Sequence, residues 1–165
     1  LTGVTFSAGL MLGQYRDAGF YLFLVVGFWL ALWGHHLFFK EKLQTEFAVG
    51  FVALVTSASL WGLGGDMEGM KWCIALCLGS GLGFVTSRYL LSYIRICEHC
   101  ERGTAQTSYL LGWDAGLLAG YSVAFGLGTE VGQTIYTYII GAIFVGTGMF
   151  HLFLVRPWYM RSKRK

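Results

Sequence analysis

The chain has 165 residues and a net charge of +3; 55% of its residues are hydrophobic, 17% aromatic and 13% charged. An ordinary soluble domain carries about 25% charged residues, so half that fraction, with a mean hydropathy of +0.57, excludes a soluble globular fold. Disorder is excluded as well, because it requires low hydrophobicity and high charge.

In chain order, residues 1–15 open in mid-pattern at Leu1. They read as the tail of a truncated helix or as an interfacial segment, and we expect a piece of a longer chain. No stretch has the basic start, short apolar core and small-residue cleavage site of a secretory signal. Five continuous apolar stretches follow, at approximately 18–39, 47–65, 72–96, 108–128 and 134–155. A membrane-crossing helix needs about 20 such residues. Their apolar runs do not alternate, which excludes a β-barrel. The polar connectors are short, so consecutive helices must be antiparallel. The expected fold is an all-α integral membrane bundle with five complete spans and a partial N-terminal one.

Basic residues set the direction. With alternate connectors on opposite sides, one side collects Lys40, Lys42, Arg95, Arg102 and the tail residues Arg156, Arg161, Lys163, Arg164 and Lys165. The other side has only Arg16 and Lys71, against Asp17, Asp66, Glu68 and Glu130. The basic side, with the 156–165 tail, is expected to be cytosolic. Anionic lipid accounts for the tail without a nucleic-acid partner. Trp72, Trp158 and Tyr159 suit the water–lipid interface.

Ionisable groups inside apolar runs are costly and mark function by default. Two stand out, Arg88 in the third span and Asp114 in the fourth. They lie about 12 Å and about 9 Å from the cytosolic ends of their helices at 1.5 Å per residue. Matched depth permits an Arg88–Asp114 pair. The competing reading has Arg88 snorkelling to the interface and Asp114 capping or bracing a helix end. Thr107, Asp114 and Tyr121 recur every seven residues and form one polar stripe. Gly112, Gly116 and Gly120 form a small-residue ridge on roughly the opposite face, and Gly79, Gly83 and Ser87 form another in the third span. Such ridges let helix backbones approach closely. A helix lining a watery path has this two-faced pattern; so does a structural helix with one stray acid.

His35, His36 and His151 read as packed or interfacial. Cys97-Glu98-His99-Cys100 has the spacing of half a zinc site or a redox pair. No second Cys pair lies in a polar connector, and the cytosol is reducing. Gly79-Ser80-Gly81-Leu82-Gly83 lacks the strand–turn–helix setting of a nucleotide fingerprint. No catalytic arrangement, metal site or cofactor is expected, and the chain does not read as an enzyme.

Cys100-Glu101-Arg102-Gly103-Thr104-Ala105-Gln106-Thr107-Ser108-Tyr109-Leu110-Leu111-Gly112-Trp113-Asp114-Ala115-Gly116 resembles the segment joining the tenth and eleventh helices of bacterial major facilitator superfamily transporters. Ser87-Arg88-Tyr89-Leu90-Leu91 and Arg156-Pro157-Trp158-Tyr159-Met160 resemble a drug-efflux-like branch. The resemblance implies most of the C-terminal half of a twelve-helix secondary transporter in the bacterial cytoplasmic membrane. Its partners would be a small solute, a coupling proton, and a missing N-terminal six-helix half. Arg102, Gly103, Thr104 and Ala105 would belong to a cytosolic loop, and Asp114, with Arg88, Tyr121 and Thr107, to the coupling or gating machinery. The family's basic eight–nine loop signature is replaced here by Lys40-Glu41-Lys42-Leu43-Gln44-Thr45-Glu46. The alternative from another class is a small self-contained membrane protein, oligomerising through its Gly ridges as a structural or channel subunit. A membrane thiol oxidoreductase would require Cys97 and Cys100 on the oxidising side.

Overall fold

Six α-helices and one π-helical turn account for nearly all of the described residues, and no strand occurs among them. The computed structural model describes residues 1–38, 43–64, 67–96, 102–127, 133–155 and 157. The basic residues of the tail, Lys40, Lys42 and the Cys97–Cys100 group lie outside that set.

The helices are α1 (Thr2–Gln14), α2 (Ala18–Phe38), α3 (Leu43–Gly64), α4 (Glu68–Ile96), α5 (Arg102–Leu127) and α6 (Gln133–Phe150), with the π-helical turn His151–Val155 running on from α6. Three are long and apolar enough to cross a membrane: Thr45–Gly64, Gly69–Ser92 and Thr134–Val155. The expected five complete spans are therefore not all met. In α2 the described apolar stretch is the shorter Ala18–Gly34. Helix α5 has 26 residues, but Thr104, Gln106, Thr107, Ser108, Asp114 and five glycines dilute its apolar character. Its start also corrects the expected loop: Arg102, Gly103, Thr104 and Ala105 form the first turn of α5 rather than a connector. Apolar runs mark where lipid-like surroundings begin, and helices extend beyond them.

Residues 1–15 resolve in favour of a packed helix. Val4, Ala8, Leu10 and Met11 of α1 are buried, whereas an interfacial helix keeps one face wet.

Helix α1 packs on α5 and α6, α2 on α4, and α3 on α4 and α6. Shifting every helix by three places turns the α1–α5 contact into α4–α2 and the α3–α4 contact into α6–α1, and leaves α3–α6 unchanged. The smaller α4–α5 contact has no such counterpart among the principal ones. The core runs through α4, where Ile74, Leu78, Leu82 and Val85 meet Phe20, Leu54, Ile140 and Phe144 in one cluster. The outer surface is strongly apolar. Trp29 and Trp33 of α2, Leu111 and Phe125 of α5 and Phe153 after α6 are each at least 60% exposed. Soluble monomers seldom carry so much exposed apolar surface.

Glycine sets the closest helix contacts. A Cβ at Gly79 would fall on the Leu24 carbonyl and the Phe28 nitrogen of α2, and one at Gly83 would come 2.7 Å from the Ala31 Cβ. On α5, Gly116 and Gly120 meet Thr2, Thr5 and Phe6 of α1 in the same way, while Gly112 leaves Thr2 Oγ1 at 3.6 Å.

Candidate functional site

Arg88 is buried and joined to Glu46 rather than to Asp114. Its Nε and Nη2 both donate to Oε2 of Glu46. The side chains are 8% and 1% exposed, so this is an ion pair removed from solvent. Helix α3 begins at Leu43, which puts Glu46 in its first turn. Because α3 and α4 are antiparallel, that turn lies beside the last third of α4. A carboxylate there also suits the positive end of the helix dipole.

The expected Arg88–Asp114 pair does not form, because Arg88 is engaged by Glu46. Asp114 is exposed, as are Thr107 and Tyr121. The polar stripe faces outward because the opposite Gly face is pressed against α1. Arg88 does not snorkel, and Asp114 lies in mid-helix, where it caps no helix end. Glu46 was missed because it closes a polar connector. Its signal was present: an acid one residue before an apolar run, at the same end of the bundle as Arg88.

Other contacts knit this end of the bundle. Tyr109 of α5 donates its hydroxyl to the Thr86 carbonyl at 2.9 Å. Thr86 and Ser87 return their own hydroxyls to Leu82 O and Gly83 O at 2.7 and 2.6 Å, and Ser92 donates to Arg88 O at 2.8 Å. Each follows the i−4 pattern that satisfies a hydroxyl inside a helix. His151, where α6 passes into the π-helical turn, stacks on Phe47 with ring centroids 3.6 Å apart. Tyr89 meets both rings edge-on, at 5.1 and 5.7 Å. Levels 86–89 of α4 thus hold α3, α5 and the end of α6 together.

A cavity of about 110 Å³ adjoins the pair, lined by Ala31, Gly83, Phe84, Ser87 and Leu91 besides Glu46 and Arg88. No group of three or more His, Cys, Asp or Glu side chains placed to hold a metal occurs among the described residues.

These features define an all-helical protein with three helices suited to crossing a membrane and a buried ion pair at one end. Compared with known protein families, curated proteins and solved structures, the chain matches none.

Proposed function

We propose that the chain is the C-terminal six-helix half of a secondary active transporter of the major facilitator type. It moves a small solute across the bacterial cytoplasmic membrane by alternating access, coupled to an ion, with its C-terminus in the cytosol. The observation that carries this reading is the packing pattern, whose contacts between helices, α4–α5 apart, map onto one another when the helices are shifted by three. Three helices form an odd-numbered unit, so a second such unit enters the membrane in the opposite direction. Inverted three-helix repeats of this kind are nested within each half of these transporters. The contact glycines follow the same exchange: Gly9 and Gly13 of α1 press on α5, as Gly79 and Gly83 of α4 press on α2.

The same contacts weigh against the self-contained oligomer. The Gly ridges that would join separate copies are already filled within the chain. The polar stripe Thr107–Asp114–Tyr121 is exposed on this half, which suits a face turned toward a water-filled path and a second bundle. Arg88 and Glu46 then act as a gate or coupling element at the cytosolic end, with Asp114 on the path.

The test is accumulation in cells expressing the complete reading frame that contains this chain, using a panel of amphipathic dyes and organic cations. At least one should be moved in a manner abolished by a protonophore, and a reporter fused after Lys165 should stay inside. An unaltered distribution across the panel, with an external reporter, would remove the reading.

A further inference from the structure

Of the three small residues that recur every four positions on α4, two make the contact with α2. Gly79 and Gly83 press on Leu24, Phe28 and Ala31. Ser87, one turn further on, lines the cavity of about 110 Å³ beside the ion pair. Phe84, Ser87, Arg88 and Leu91 share one helix face by their spacing, and all four border this space, with Ala31 of α2 and Glu46 of α3 completing it. Its walls divide by chemistry. Ala31, Phe84 and Leu91 are apolar; Ser87 and the ion pair are polar. The pair is desolvated, with side chains 8% and 1% exposed, and carries no net charge. Ser87 donates its hydroxyl to Gly83 O at 2.6 Å. A hydroxyl has one hydrogen and two lone pairs, so Ser87 offers a guest an acceptor rather than a donor.

We infer that this cavity binds a short-chain neutral alcohol, with its hydroxyl donating to Ser87 Oγ and its alkyl chain against Ala31, Phe84 and Leu91. Three properties select that class. Size is the first: an apolar cavity of roughly 150 Å³ holds one benzene, so this smaller space suits a guest of about four or five heavy atoms. Charge is the second. Arg88 and Glu46 already neutralise each other, and a charged guest would add an uncompensated charge to a desolvated site, at a cost of several kcal/mol. Polarity is the third. A purely apolar guest leaves the polar wall without a hydrogen-bond partner in place of water, which is unfavourable, whereas a hydroxyl at one end of a short chain satisfies both walls. The site is independent of the transport reading, because it depends only on the packing of α2, α3 and α4 around Ser87.

The test titrates n-butanol into the full chain in nanodiscs with ¹³C-methyl alanine and leucine. Alcohols also dissolve in lipid, so the exposed Leu22 and Leu118 serve as internal controls. The Ala31 and Leu91 methyl resonances should shift and saturate, while those of Leu22 and Leu118 drift in proportion to the alcohol added. Butyrate and butylammonium, of similar size but charged, should leave Ala31 and Leu91 in place. Ser87→Ala removes the acceptor and should weaken n-butanol binding about threefold to tenfold, the worth of one hydrogen bond. Should that variant unfold, the titrations of the native chain decide alone. Unsaturated drift at all four methyl groups, saturation by either charged analogue at the same concentration, or undiminished affinity in a folded Ser87→Ala chain would overturn the site.

Discussion

Arg88 closes on Glu46 across 42 residues of sequence, two of its nitrogens converging on one carboxylate oxygen. The pair fastens the first turn of α3 to α4 out of reach of solvent. Removing one member leaves an uncompensated buried charge, which costs about 3–5 kcal/mol. Glu46→Leu and Arg88→Met should each lower the thermal unfolding midpoint of the detergent-solubilised chain sharply. The double variant should recover most of the loss, since apolar replacement of both partners is often neutral. Additive losses would show that each residue is held by something else.

The same method separates Arg88 from Asp114. A double-mutant cycle with Arg88→Ala and Asp114→Ala should give a coupling below about 0.5 kcal/mol, as expected for sites that share no partner. Asp114 is exposed, so Asp114→Asn alone should leave stability within about 0.5 kcal/mol. Under the transport reading the same change should abolish proton-driven flux in the complete protein. Retained flux at every pH would take Asp114 out of the mechanism.

What the sequence displays and what it conceals divide along one line. Apolar runs reveal that helices exist, and the seven-residue and four-residue spacings on α5 reveal which of its faces is polar and which is small. Both are local properties of one helix. Partnership is not local. Glu46 and Asp114 were both candidates for Arg88 by charge, and the packing of α5's glycines on α1 leaves Asp114 facing outward. Boundaries suffered from the opposite fault. The Arg102–Ala105 stretch is too polar to register as membrane-like, although it holds no proline and only Gly103 strongly disfavours a helix, and Tyr109 near the start of α5 becomes a tether only once α4 is beside it.

That tether is testable by itself. Tyr109 is buried, and its hydroxyl reaches the Thr86 carbonyl one turn below the ring cluster. Tyr109→Phe keeps the ring and removes one hydrogen bond, for an expected loss of about 0.5–1.5 kcal/mol. Hydrogen exchange should rise at the start of α5 more than at the middle of α3. A uniform increase would mean that the bond contributes to global stability without specifically holding α5.

Glycine substitution distinguishes contact from mere composition. At Gly79 a new Cβ meets backbone atoms of Leu24 and Phe28, which cannot rotate aside as a side-chain tip can. Helix α2 must shift, and overpacking of this kind costs about 1–3 kcal/mol. At Gly146 of α6 nothing lies within 4 Å, so alanine adds no clash and removes backbone freedom from the unfolded chain, a gain of roughly 0.5–1 kcal/mol. Gly79→Ala should therefore lower the unfolding midpoint and Gly146→Ala should raise it, although both are the same chemical change in a helix interior. Equal shifts in both would mean that α2 and α4 are not in backbone contact, and the three-place packing pattern would lose one of its two principal pairs.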